Sequence, residues 1–397
     1  MMWLSFAPVL TETSSFYDLS EEMIDYLSVV FMVSYPIIAI PCAYYIEQQG
    51  IQSSLRLSAV LNLLGACLRY ASTSNHSYAT MLTGQSVVAL AQGWTLGIPP
   101  LISSTYFPKS EVGLATGLSV LAMQIGPGIP YFSAHFFFAE NAEEDGEGLQ
   151  FYMLVQMVLT GVVVLLVICT TPYTCPPVGV GGGDKPKGGL RAFSMAVVTA
   201  LNPKKTSPSF LLLALAYGVI TGSLISYSTL MSELLPNLSE TDLSMIGTVL
   251  IGGGFPGAVL AGFFCDKTKS CKNVTLLLTT VGAAALLAIT FAPQNHQNLY
   301  IMIGFSGICG FCLTGCFSSG FEWAVELTYP AVAESTLGTI LQATSNVGGM
   351  VLVLAMPSIV NLLSSTGGNL VIVGFLGAGV VLCLFISGEQ KRNFNRR

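Results

Sequence analysis

The chain has 397 residues, of which 52% are hydrophobic and only 9% are charged, and its mean hydropathy is +0.68. Soluble domains carry about 25% charged residues, so this composition excludes a soluble globular protein. The formal net charge of −6 gives no basic surface for a nucleic-acid partner. The composition therefore indicates an integral membrane protein.

Apolar runs long enough to cross a bilayer, which takes about 20 residues, recur along the whole chain. We identify eleven such runs, near 23–47, 54–72, 78–105, 111–138, 149–171, 208–235, 242–265, 273–293, 298–327, 332–363 and 368–388. Residues 1–10 are apolar but too short for a span, and no basic segment precedes them as in a signal peptide. We interpret them as the outer half of an incomplete first span, which predicts an all-α fold of twelve spans.

The cations are sorted to one side of the membrane. Of the 15 Lys and Arg residues, all except Arg69 fall in loops or a tail on the same side when the runs are threaded in alternating directions. Because cytoplasmic loops collect Lys and Arg, this pattern predicts both the span count and the orientation. Arg69 lies near the outer end of a span, where we expect it to reach the surface or to pair with an external carboxylate.

Residues 172–207 differ from the rest of the chain, because they are rich in Gly, Pro and Lys. We interpret this stretch as a cytoplasmic linker, either disordered or containing a short helix on the membrane surface. The linker predicts an N-terminal six-span half at 1–171 and a C-terminal six-span half at 208–390. Residues 391–397 form a basic cytoplasmic tail.

The two predicted halves repeat each other at a nearly constant offset. The matching features are Pro36 with Pro256, residues 44–47 with 263–266, Pro108 with Pro330, and Gln124 with Asn346. Two six-span bundles repeated in the same orientation are typical of transporters that rock around a central site. We therefore predict transport of a small organic solute by alternating access. The rival hypothesis is a non-transporting receptor or sensor with the same fold.

Two acids occupy equivalent places in the repeat. Glu47 and Asp266 each end an even-numbered span, just before a short basic loop. A carboxylate there is able to cap the next helix or to pair across the two halves. We predict that both residues hold an inner gate shut, in preference to being solvated loop acids.

Deep amides are candidates for a solute site. Gln124 lies about 22 Å of helix rise from Lys109, which places it deep in the bilayer. Asn346 and Gln92 lie at a similar depth in their own spans. Unsatisfied polar groups are costly in a bilayer, so these amides should face a solute cavity or bond to neighbouring helices. Trp3 adds an aromatic face suited to a cation.

Glu322 and Glu326 lie one turn apart near the cytoplasmic end of the tenth span. They are candidates for proton coupling or for a structural role, and we favour the structural one. Cys309, Cys312 and Cys316 share a helix face with glycines, and we interpret them as packing residues rather than metal ligands. No nucleophile–base pair, phosphate loop or metal motif was found, so we expect no enzyme activity, no metal and no cofactor.

The chain resembles the major facilitator superfamily, and within it solute carrier family 49, the feline leukaemia virus subgroup C receptor-related proteins. The resemblance rests on residues 84–86 (GQS), 106–108 (YFP) and 320–330 (GFEWAVELTYP). Residues 3–8 (WLSFAP) are most similar to the branch called major facilitator domain-containing protein 7. The resemblance implies a carrier of a choline-, ethanolamine-, haem- or vitamin-like solute. It also implies a multi-pass, monomeric protein in the lipid bilayer of the plasma membrane, with endolysosomal or mitochondrial membranes as alternatives.

The choline-handling branch also implies four site positions, which correspond here to Trp3, Gln124, Ile225 and Asn346. Trp3 and Gln124 match that pattern, whereas Ile225 replaces a tyrosine and Asn346 replaces a glutamine. Tyr227 lies two residues further on, which turns it roughly 200° around a helix. We predict that Trp3, Gln124 and Asn346 bind the solute, with Gln92 and Tyr227 as rim residues.

Overall fold

The computed structural model describes residues 2–6, 9–108, 111–137, 147–170, 208–293, 298–328 and 332–387. These ranges are almost entirely helical and contain no strand. In chain order the helices are α1 (Leu10–Tyr17), α2 (Glu21–Ser74), α3 (Tyr78–Ala91), a 3-10 turn (Gln92–Trp94), α4 (Pro99–Tyr106), α5 (Val112–Phe137), α6 (Glu147–Thr170), α7 (Pro208–Thr229), α8 (Met231–Leu234), α9 (Glu240–Thr268), α10 (Cys271–Phe291), α11 (Leu299–Thr328) and α12 (Glu334–Phe385). The all-α prediction is confirmed for the described part of the chain.

Within the described ranges, nine helical stretches are long and apolar enough to cross a bilayer. Two of them, Met23–Ser74 and Glu334–Phe385, have 52 residues each, which is more than two spans require. Each contains one non-helical residue, Gly50 (φ 83°, ψ 173°) or Ser364 (φ 78°, ψ 169°). Dividing both stretches at these residues gives eleven segments, which agrees with the eleven full spans predicted.

Local sequence explains where several helices begin. The Ser77 hydroxyl accepts a hydrogen bond from the Thr80 N–H (3.3 Å) at the start of α3, and Ser239 accepts one from the Asp242 N–H (3.2 Å) at the start of α9. A serine oxygen in this position satisfies one of the helix-terminal N–H groups that lack an intrahelical partner. The first residues of α4 are prolines, which need no such partner.

Large apolar side chains are exposed on the surface of the described chain, and polar side chains are found among the apolar ones in its interior. Leu362 is 82% exposed and Leu165 is 63% exposed, whereas Thr221 and Ser345 are fully buried and their hydroxyls bond to each other at 2.7 Å. Helices α7 and α12 approach closely, since a Cβ atom on Gly222 would lie 2.6 Å from the Gly349 nitrogen. This distribution is typical of helices that face lipid and pack through small residues.

The contacts divide the chain into two compact units. Unit 1 comprises Met1–Thr95 and Ile125–Cys175, and unit 2 comprises Leu96–Gln124 and Pro176–Arg397. Helix α4 and the first half of α5 therefore group with the C-terminal helices. The predicted boundaries at 171 and 208 concern the sequence repeat and stay a prediction. The predicted linker at 172–207 and the basic tail at 391–397 lie outside the described residues.

The turns that follow the two repeated acids each contain a residue with positive φ. Gly50 follows Glu47 by three residues, and Lys269 follows Asp266 by three residues. Both Gly50 (φ 83°) and Lys269 (φ 51°) have positive φ, a conformation that few residues adopt outside tight turns. The two residues differ in ψ, which is 173° at Gly50 and 31° at Lys269, so the structural likeness at this position is limited to the sign of φ.

Candidate functional site

The amides of Gln124 and Asn346 use their nitrogen atoms to bond within unit 2. Gln124 on α5 donates from Nε2 to the Thr314 hydroxyl on α11 (3.4 Å), and Asn346 on α12 donates from Nδ2 to the Gln342 carbonyl (2.8 Å). No hydrogen bond to either side-chain oxygen is found in the described part of the chain. Both amides therefore keep a carbonyl oxygen for another donor.

Tyr227 and Ile225 are both buried in α7. The Tyr227 hydroxyl has no hydrogen-bond partner among the described residues. Ile225 packs on α12, where a Cβ atom on Gly349 would lie 2.9 Å from its Cγ2. Ile225 thus serves a helix–helix contact, while Tyr227 keeps one unused polar atom.

Trp3 and Gln92 belong to unit 1. The Trp3 side chain is half-buried against a cluster that contains Phe31, and its indole N–H has no partner within the described ranges. Gln92 donates from Nε2 to the Phe31 carbonyl (2.6 Å), which joins the 3-10 turn to α2. This bond supports a structural role for Gln92, and its role as a rim residue stays a prediction.

Asp266 is placed at the N-terminus of α5. Its Oδ1 accepts a hydrogen bond from the Gly113 N–H (3.1 Å), and its Oδ2 accepts one from the Leu114 N–H (2.9 Å). Those N–H groups have no intrahelical partner, and the positive end of the helix dipole favours a carboxylate. The capping function expected of this acid is present, although the helix it caps is α5 rather than the next helix along the chain.

Glycine is required at position 113 for this contact. A Cβ atom there would lie 2.6 Å from the Gly262 carbonyl oxygen and 2.8 Å from the Asp266 carboxyl carbon. Real Cβ atoms do not approach backbone so closely, so any other residue would push α5 away from α9. Glu47, the repeat-related acid, lies half-buried in unit 1, and its gating role stays a prediction.

Glu322 binds the same segment one turn further along α5. The Thr116 hydroxyl donates to Glu322 Oε1 (2.5 Å), and Thr116 also bonds to the Ser103 hydroxyl of α4 (2.7 Å). All three side chains are buried. Glu326, one turn on, is buried as well, and both carboxyls lie near the Cys271 thiol. The Thr116 bond supports the structural role, and proton coupling stays a prediction.

Comparisons with known proteins agree with this architecture. The sequence profile of the Major Facilitator Superfamily matches residues 1–292. The chain belongs to the major facilitator superfamily. It is thus a multi-pass integral membrane protein of a family of small-solute transporters.

Individual superfamily members match nearly the whole chain. The chain is 28% identical to an uncharacterized MFS-type transporter of Caenorhabditis elegans, over 98% of this chain and 67% of the relative. It is 27% identical to the choline/ethanolamine transporters FLVCR1 of Felis catus and FLVCR2 of Homo sapiens, over 98% of this chain and 70% and 74% of theirs. The resemblance to solute carrier family 49 is therefore confirmed, whereas the finer branch stays a prediction.

Solved structures of the superfamily share the fold. The fucose:proton symporter FucP of E. coli matches with a TM-score of 0.73, and the crystal structure of FucP in the outward conformation matches with a TM-score of 0.75. Both are 13% identical in sequence, and each alignment covers 98% of this chain and 97% (outward conformation) or 94% of FucP. The proton:xylose symporter XylE matches with a TM-score of 0.67. At such low identity these matches show the fold alone.

Arg69 was predicted wrongly. It does not reach the surface, because it is only 1% exposed. Its side chain also makes no ion pair with a carboxylate among the described residues. Its Nη2 donates to the Ser5 hydroxyl (2.6 Å) and lies 3.5 Å from the Met153 sulfur, and its guanidinium carbon is 4.9 Å from the centre of the Phe6 ring. Hydropathy identified the span correctly but gave no information on which side of the helix faces the interior.

The Arg69 charge is poorly compensated in unit 1. Its Nε and Nη1 atoms are buried without a hydrogen-bond partner in the described part of the chain. Removing an ion from water costs several kcal/mol, whereas a desolvated contact of a cation with an aromatic ring contributes about 2 kcal/mol. The sequence analysis also missed Gln156, whose amide is buried with neither Nε2 nor Oε1 bonded to a described residue. A polar residue within a long apolar run was the only signal for either of them.

Proposed function

We propose that this protein carries a small organic cation of the ethanolamine and choline class by alternating access, and that it prefers the primary amine. The relatives with printed functions are choline/ethanolamine transporters. The finer assignment rests on the geometry of two amides in unit 2.

The observation that carries the proposal is the orientation of Gln124 and Asn346. Both nitrogens donate to protein atoms, so the carbonyl oxygens are the groups available to a solute. A primary ammonium has three N–H donors for such oxygens, whereas a quaternary ammonium has none and depends on aromatic faces. Ile225 supplies no such face. These features favour ethanolamine over choline.

We also propose that the contacts of α5 with α9 and α11 form the inner gate of the transport cycle. Asp266 and Glu322 accept three hydrogen bonds from Gly113, Leu114 and Thr116. Charge-assisted hydrogen bonds of this kind are stronger than neutral ones, so together they would hold the segment in place until the cycle breaks them.

The test is uptake of radiolabelled ethanolamine and choline by proteoliposomes that contain the purified chain. We expect ethanolamine uptake to exceed choline uptake, and Gln124→Ala to abolish both while the protein remains folded and inserted. The matched control is Asn62→Ala, because the Asn62 amide bonds to Ser58 in its own helix. Preferred uptake of choline would contradict the primary-amine preference, and normal uptake by Gln124→Ala would remove the site assignment.

Trp3 requires a separate variant, because its place in the site is predicted from the resemblance. If the indole face contacts the ammonium group, Trp3→Ala should raise KM for ethanolamine and Trp3→Phe should raise it less. An unchanged KM in Trp3→Ala would show that the solute does not touch this residue.

A further inference from the structure

The strongest unassigned feature is the environment of Arg69, which we call the Arg69 cluster (Ser5, Phe6, Arg69, Tyr152 and Met153). The cation is fully enclosed, and one of its three nitrogens bonds to a described residue. The nearby phenol hydroxyl of Tyr152 donates to the Ser5 carbonyl (3.0 Å) and is thus already used. The cluster therefore contains a buried positive charge with spare N–H donors.

Gln156 provides a second observation. It follows Met153 by three residues and Tyr152 by four, which places it on the same face of α6. Its amide is buried, and both polar atoms lack a partner in the described ranges. Helix α2 thus carries unpartnered N–H donors on Arg69, and α6 carries one on Gln156. The two helices are in contact at this level, where Arg69 meets Met153.

We propose that the Arg69 cluster is a binding site for a small monovalent anion, held by Arg69 Nε and Nη1 and by Gln156 Nε2. An anion would satisfy the donors and neutralise the buried charge, which the cluster's aromatic and thioether groups do only weakly. The anion is either a free halide or the carboxylate group of a small solute, since both accept N–H bonds with one negative charge. The proposal does not depend on the amine assignment.

The test measures thermal unfolding of the purified full chain in detergent while the anion is varied at constant ionic strength. Sodium chloride and sodium acetate are titrated against sodium gluconate, whose anion is bulky. We expect chloride or acetate to raise the unfolding midpoint of the wild type in a saturable way. An increase with chloride identifies the halide, and an increase with acetate alone identifies a carboxylate ligand.

Variants assign the effect to the cluster. Arg69→Gln should abolish the increase, and Gln156→Leu should weaken the apparent affinity at least about tenfold, because each removes donors to the anion. Arg56→Gln is the control, since it removes the same charge from an exposed position and should leave the increase intact.

Binding is also measured on the wild type alone, which covers the case that Arg69→Gln does not fold. Broadening of the 35Cl NMR signal by the protein, reversed by excess bromide, would support the halide. Equal midpoint shifts in the wild type and Gln156→Leu, or no saturable shift with either anion, would overturn the proposal.

Discussion

Two charges at the ends of spans, the half-buried Asp266 in unit 2 and the fully buried Arg69 in unit 1, have opposite kinds of surroundings. Asp266 receives two backbone N–H groups at the start of α5. Arg69 receives a serine hydroxyl, a thioether and an aromatic ring, and two of its nitrogens remain without a partner in the described chain. The first charge is stabilised by the protein's own dipoles, whereas the second leaves capacity for a ligand.

The difference shows that the role of a charge at the end of a span follows from the groups that contact it. Both residues were recognised in the sequence as charges at the ends of spans, and hydropathy alone treats them alike. Only the contacts distinguish a charge that holds two helices together from one that offers donors to an anion. Four predictions test the contrast, in order of decreasing effect.

The largest effect is expected where α5 meets α9. Gly113→Val should separate the two helices, remove the Asp266 hydrogen bonds and destabilise the protein by about 3 kcal/mol, the upper end of overpacking costs, because the opposing atoms are backbone. Thermal unfolding measures the loss of stability, and solute uptake measures the loss of function. Gly252→Ala is the control, since its Cβ would meet nothing within 4 Å. Equal stability of Gly113→Val and the wild type would contradict the close approach.

The Glu322 contact should show strong coupling. A double-mutant cycle of Glu322→Gln and Thr116→Val should give a coupling free energy of about 1.5–3 kcal/mol, as expected for a buried hydrogen bond to a charged group. The free energy is measured from denaturation of the single and double variants. Additive effects would mean that the Thr116 hydroxyl does not stabilise the carboxylate.

The Asp266 cap should contribute less, because backbone N–H groups at a helix end have other acceptors. Asp266→Ala should cost about 0.5–2 kcal/mol, and Asp266→Asn should cost less because one carbonyl acceptor remains. The same loss of stability is measured for Glu47→Ala, so that the two repeated acids are compared directly. A similar loss at both positions would support a gating role for both, and no loss in Asp266→Ala would disprove the cap.

The smallest effect concerns the surroundings of Arg69. The Tyr17 hydroxyl bonds to the Ser72 hydroxyl (2.8 Å), so Tyr17→Phe should cost about 0.5–1.5 kcal/mol. Burial raises the pKa of the Tyr17 phenol, and the Ser72 hydrogen bond and the nearby Arg69 cation lower it only in part.

The pH dependence of this variant follows from that shift. A raised pKa in the folded state means that the contribution of Tyr17 is fully present below its ordinary value of about 10 and is lost as the pH rises above it. The stability difference between wild type and Tyr17→Phe should therefore be constant from neutral pH and shrink above about pH 10. A difference that grows with pH would contradict the direction of the shift.

Sequence alone determined the membrane class and the positions of the eleven full spans. It also predicted that the acids at 47 and 266 are equivalent and that Gln124 and Asn346 lie deep in the bilayer. These properties depend on local hydropathy, helix rise and chain order, which need no tertiary information. Tertiary structure decided that Asp266 caps α5, that Thr116 binds Glu322, that Gln92 bonds to Phe31, and that Arg69 is enclosed. Those outcomes depend on which helix faces pack together, and a hydrogen bond between residues 153 or 206 positions apart leaves no trace in local periodicity.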